Sequence, residues 1–262
     1  MNNENFLIMR PFNALWLTIL AVLVLILIIA SIVLGKKSVE TRKKVLVIAS
    51  VLTFIGFIFY KIALSQDAEF DVLSRQAGMG GFNWWGELPL QLCNINMIMI
   101  PIAVILNKRE LLAFCFFVGP LGAMMALAMP GVEFTEASIL LPRMLGYYGT
   151  HFLIVIEGLA VATFGLYKPK FKDLPKIVVT ILIVAFLVFL IDMALRWSGL
   201  NTSANYFFAV ETEGNPILEL FHSFLPYPFL YLLPCVLILV PYMALVTFGF
   251  WIGDKVKGKK DN

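Results

Sequence analysis

Cys93 lies in the stretch Leu88-Pro89-Leu90-Gln91-Leu92-Cys93-Asn94, and His151 closes Tyr147-Tyr148-Gly149-Thr150-His151. A thiol and an imidazole together suit nucleophilic catalysis. The thiolate attacks, the imidazole takes its proton near neutral pH, and a third polar group orients the ring. Asp192 and Asn96 are the candidates for that third role. Gln91, Asn94, Tyr147 and Tyr148 complete the polar company and are expected on the substrate side, with Tyr147 or main-chain amides near Cys93 as donors to an oxyanion. The bland alternative is that Cys93 packs as a small hydrophobe and His151 bonds a neighbouring helix. Cys115 and Cys235 have no polar neighbours and read as packing. Three scattered cysteines and two histidines, the second being His222, give no disulfide framework and no zinc spacing, so neither metal nor cofactor is expected.

The elements that must position these groups follow from composition. The chain has 262 residues, 60% of them hydrophobic and 14% charged, where a soluble domain has about 45–50% and about 25%. A soluble enzyme, a disordered chain and a disulfide-stapled secreted scaffold are excluded. Crossing a bilayer takes roughly 20 apolar residues, and seven runs qualify: Phe12–Leu34, Val45–Leu64, Leu88–Leu106, Leu111–Met129, Met144–Leu166, Ile177–Leu195 and Pro228–Ile252. Backbone polar groups in lipid must bond within their own segment, and the short alternating strands of a barrel are not seen, so these runs read as helices. The first is too long for a signal-peptide core and carries its positive cluster behind it. The expected fold is all-α, one polytopic seven-helix domain over residues 1–262. Gly119, Pro120 and Gly122 predict a kink with close packing in the fourth helix.

Charge sets the orientation. Lys36, Lys37, Arg42, Lys43, Lys44, Lys108, Arg109, Lys168, Lys170, Lys172, Lys176, Lys255, Lys257, Lys259 and Lys260 fall on one side of the seven runs. Of the 20 basic residues only Arg10, Lys61, Arg75, Arg143 and Arg196 fall on the other. By the positive-inside rule the amino terminus is outside and the carboxyl terminus cytoplasmic, in a multi-pass protein of the cell membrane. The net charge of +3 is thus a topology signal. The basic loops carry few aromatics on which bases could stack, so nucleic acid is not an expected partner. Membrane lipids are, and the sequence names no protein partner. The loops Ser65–Glu87 and Arg196–Tyr227 face outside, the second with an apolar stretch, Pro216–Pro226, suited to the interface.

Ionisable groups at membrane depth are costly and mark candidate sites. Counting helical rise from the outer boundary, Cys93 lies about 7 Å down, His151 about 10 Å, Asp192 within about one turn, and Glu157 about 20 Å. Three of the four share a layer.

Several segments carry a resemblance. Leu88-Pro89-Leu90-Gln91-Leu92-Cys93-Asn94 is similar to a motif of the form L-P-L-H-L-C, with Gln91 where His is frequent. Tyr147-Tyr148-Gly149-Thr150-His151 matches a His in the outer part of a helix. Asn205-Tyr206, then Pro216, then Pro226-Tyr227-Pro228-Phe229 is similar to N-Y, Pro and P-x-P with aromatics. Together they resemble the YwaF-like integral membrane proteins of bacteria, which are similar to eukaryotic transmembrane acyltransferases that move fatty acyl chains between phospholipids. The resemblance implies catalytic roles for Cys93 and His151 and adds Asn205 and Tyr206 to the expected substrate-binding set. Three functions compete: a lipid acyltransferase or acyl hydrolase, a transporter or channel using Glu157 and Asp192, and a non-catalytic membrane scaffold.

Overall fold

The computed structural model describes residues 6–78 and 80–258. Among the described residues, six helices are long and apolar enough to cross a membrane. They are α1 (Ala14–Gly35), α2 (Val39–Leu64), α5 (Arg109–Ala128), α6 (Pro142–Thr163), α7 (Leu174–Trp197) and α9 (Val236–Gly258), joined by the shorter α3 (Ala68–Gln76), α4 (Asn96–Leu106) and α8 (Pro216–Phe224). Local chemistry starts them. The Asn13 side chain accepts the Trp16 N–H at the head of α1, Ser38 accepts that of Thr41 at α2, and Pro142 opens α6 where no donor is needed.

The core is α5 packed on α6 and α4, with α2 against α6 and α4. In α1 only Trp16 and Leu27 are buried. That helix turns an apolar surface outward on almost every side, as a lipid-facing span must. Small residues let the core helices close up. A β-carbon on Gly158 of α6 would sit 2.5 Å from the Pro120 ring of α5, and one on Gly122 would sit 3.3 Å from the Cys93 nitrogen. Gly119, Pro120 and Gly122 therefore mark close packing.

One expected span is corrected. The run Leu88–Leu106 is helical only over Asn96–Leu106, 11 residues, which at about 1.5 Å each reach about half the hydrocarbon thickness. Leu88–Ile95 runs in turns. Pro89 has no donor, and the N–H of Leu88 goes to the Tyr206 phenol instead of a helical carbonyl. Such backbone is tolerated at membrane depth where protein surrounds it. The last run, Pro228–Ile252, starts as a 3-10 segment, Leu230–Cys235, and becomes α-helix at Val236.

Two features add to the helices. Ile8–Met9 (β1) pairs antiparallel with Ala137–Ser138 (β2), tying the start of the chain to the loop between α5 and α6. Short 3-10 turns at Trp84–Gly86, Val132–Phe134 and Tyr206–Phe208 cluster in the loops at the end nearer Cys93. Lys255, of the expected closing basic cluster, is exposed, while the Lys257 side chain, Lys259 and Lys260 lie outside what is described.

Candidate functional site

Cys93 sits at the end of the turns that lead into α4, and His151 projects from the third turn of α6. Sequence separates them by 58 residues, and the fold brings the Cys93 Sγ to 3.3 Å from His151 Nε2. The other ring nitrogen decides the protonation pattern. Nδ1 lies 2.7 Å from the Tyr147 carbonyl, and a carbonyl can only accept, so Nδ1 carries the hydrogen. Nε2 is then left with a lone pair facing the thiol, which donates to it. In a neutral thiol–imidazole pair of this polarity the sulfur's proton points at the nitrogen that could take it.

Both groups are shut away, Cys93 at 7% and His151 at 6% exposure, so water does not compete for their bond. Asn94 Oδ1 stands 3.7 Å from the sulfur. Cys93 stands just ahead of α4, and the main-chain N–H groups at the start of a helix favour negative charge there. The imidazole is gripped by aromatics. The Tyr147 ring lies 4.5 Å from it, centroid to centroid, and stacks in turn on Phe134 at 4.3 Å. Both tyrosine hydroxyls are already engaged: Tyr147 donates to the Ala126 carbonyl at 2.8 Å, and Tyr148 to that of Phe134 at 3.1 Å. The donors left to face an oxyanion are main-chain amides.

The other residues singled out by sequence divide. The orienting place foreseen for Asp192 or Asn96 is filled by the Tyr147 carbonyl. Asp192 is wholly buried in α7, accepts the Tyr206 N–H at 2.9 Å through Oδ1, and leaves Oδ2 without a partner. Asn96 turns toward α5, where a β-carbon on Gly119 would sit 3.2 Å from its Oδ1, and donates to the Leu92 carbonyl at 3.0 Å. Gln91 accepts the Phe207 N–H at 3.3 Å, and the Tyr206 phenol donates to the Trp85 carbonyl at 2.8 Å. Asn205 organises its own loop, accepting from the Val210 and Glu211 amides and donating to Glu213. Glu157 lies apart, accepting from Ser50 at 2.8 Å and Thr53 at 2.5 Å of α2.

Three charged groups escaped sequence reasoning. Lys61, counted there among loop charges, is buried at the end of α2, pairs with Glu87 and lies over the Tyr60 and Phe57 rings. The available signal was a lysine behind aromatics one and four residues earlier, a spacing that puts all three on one helical face. Glu133 is buried in the loop beneath Phe134, with Oε2 unpartnered. Burial, helped by the charge of Glu87, raises its carboxyl above the ordinary range. Arg143 likewise escaped, buried where α6 begins and held by Asp67 and Glu69 of the α3 region.

Six membrane-length helices around a sequestered polar cluster define a multi-pass membrane protein. The chain belongs to the TMEM164 family, whose model matches residues 9–247. No curated protein and no solved structure matches it.

Proposed function

We propose that this protein is a membrane-embedded acyl-transfer enzyme, a lipid acyltransferase or acyl hydrolase, with Cys93 as nucleophile and His151 as base. The observation that carries the reading is the 3.3 Å contact from Sγ to Nε2, with Nδ1 bound to a carbonyl. The YwaF-like resemblance of the stretches around Cys93, His151 and Asn205 adds to it. Sulfur attacks the carbonyl carbon of a lipid ester while Nε2 takes the thiol proton. The oxyanion faces the amides of Cys93 and Asn94. As the tetrahedral adduct collapses, the carbon–oxygen bond breaks and the departing alcohol recovers the proton from Nε2, leaving an acyl thioester on Cys93. A hydroxyl of a second lipid, or water, then takes the acyl group with His151 again as base.

In the same reading the chain crosses the cell membrane seven times, α4 with its preceding turns forming the third crossing, and the basic loops lie in the cytoplasm. Cys93 and His151 then stand beneath the outer leaflet, where a lipid arrives sideways. Incubating membranes with a clickable fatty acyl donor tests this. Wild type should retain label through a thioester that hydroxylamine releases, and Cys93→Ala should not. Equal labelling of both overturns the reading.

A further inference from the structure

The turns that carry Cys93 have few helical bonds of their own, so something else must hold them still. The Tyr206 phenol oxygen accepts the Leu88 N–H at 3.0 Å and donates to the Trp85 carbonyl at 2.8 Å. The next residue, Phe207, gives its N–H to Gln91 Oε1 at 3.3 Å. Leu88 and Gln91 stand five and two positions ahead of the sulfur. The main chain of Tyr206 is fixed from behind, by Oδ1 of Asp192 at 2.9 Å.

This strap is strained and heavily braced. Phe207 and Phe208 hold φ of 60° and 54°, a left-handed conformation that side-chain-bearing residues keep only where their surroundings over-determine it. Here the surroundings do so. The Tyr231 phenol donates to the Phe208 carbonyl, the Phe229 N–H donates to that of Ala209 at 2.6 Å, and Asn205 takes the amides of Val210 and Glu211. Strained, over-braced backbone next to a reactive group is how fixed geometry is kept.

We propose that Asp192 and Tyr206 are positioning residues for Cys93. The buried carboxylate pins the Tyr206 main chain, and Tyr206 with Phe207 pins the turn that presents the sulfur to His151. The inference rests on the thiol reading above for its purpose, yet its geometry is tested apart from any acyl chemistry. Asp192 acts here through one accepting oxygen, its second having no partner, so an amide in its place serves equally and a methyl group does not.

The purified full-length protein in detergent is alkylated with iodoacetamide at neutral pH, the rate at each cysteine being followed by mass spectrometry and melting by a thermal scan. In Tyr206→Phe and Asp192→Ala the rate at Cys93 should fall at least about fivefold, the scale of one lost hydrogen bond, because the thiol parts from its base. Cys235 should react unchanged and Asp192→Asn should match wild type within about twofold. An unchanged or faster Cys93 in Tyr206→Phe overturns the proposal. So does an Asp192→Asn as impaired as Asp192→Ala, or a parallel change at Cys235, which would mean general loosening. A wild type that alkylates as described but never holds an acyl group removes the enzymatic reading and leaves the positioning intact.

Discussion

His151 turns Nε2 to the Cys93 sulfur because the Tyr147 carbonyl, one helical turn back on α6, takes the hydrogen of Nδ1. A main-chain acceptor in that place does not titrate and does not rotate away, so the ring keeps a single tautomer at every pH where it is neutral. A carboxylate would also have stabilised the charged ring. In the acyl transfer proposed above, the carbonyl adds no such charge, so a proton taken up by His151 would be held only until the leaving group collects it.

Removing the base should therefore slow chemistry more than binding. For His151→Gln we expect acyl transfer to fall by about 10²–10⁴-fold with retention of the lipid donor little changed. Single-turnover labelling set beside donor binding separates the two, and an equal loss in both would place His151 in substrate binding.

Close helix contacts should tolerate no added carbon. Gly158→Ala pushes a methyl group into the Pro120 ring, which lies 2.5 Å from its position, and overpacking of this kind costs about 1–3 kcal/mol. Thermal unfolding in detergent should show the loss. Gly35→Ala, where a β-carbon meets nothing within 4 Å, is the control and should melt with wild type.

Glu157 is braced by two hydroxyls and stands away from Cys93. Its amide replacement keeps an acceptor for one hydroxyl and relieves a buried carboxylate. Glu157→Gln should consequently stay within about 1 kcal/mol of wild-type stability and label at Cys93 at the wild-type rate. Label lost without loss of melting temperature would give that carboxylate a part in function.

Stability should depend on pH in two opposite ways. The folded state raises the carboxyl of Glu133 by burial, so it favours the protonated form. That contribution is complete below the unfolded value and disappears as pH rises through the folded one. Glu133→Gln should thus melt higher than wild type at neutral pH, by the equivalent of about 1 kcal/mol, and match it in acid. Asp71 runs the other way. The bond from Arg75 and the Phe82 N–H hold its carboxyl below the usual range, so its contribution is present above the unfolded value and fades as pH falls through the folded one. Asp71→Asn should then lose most at neutral pH.

The apolar runs made the helical membrane fold legible, since length and hydropathy are properties of the chain itself. The polar outliers Cys93, His151, Asp192 and Glu157 were legible for the same reason: a bilayer leaves so few of them. Their pairing was only partly so. Depth brought Cys93, His151 and Asp192 into one layer, but rotation about the helix axis decides contact, and the break before Asn96 reset it. The Tyr147 carbonyl had no sequence signature because every residue carries one. Lys61 was misread because a lysine at the end of a span resembles a loop charge until its partner, Glu87, folds back over it.

The pairing of Ile8–Met9 with Ala137–Ser138, and the bond from the Trp16 indole to the Leu127 carbonyl at 3.2 Å, join α1 and the strand before it to segments translated more than a hundred residues later. On the ribosome α1 must wait, unclasped, until those partners have been made. Synthesis order and seating order therefore differ for α1: it is made before the segments that hold it and is seated only after them.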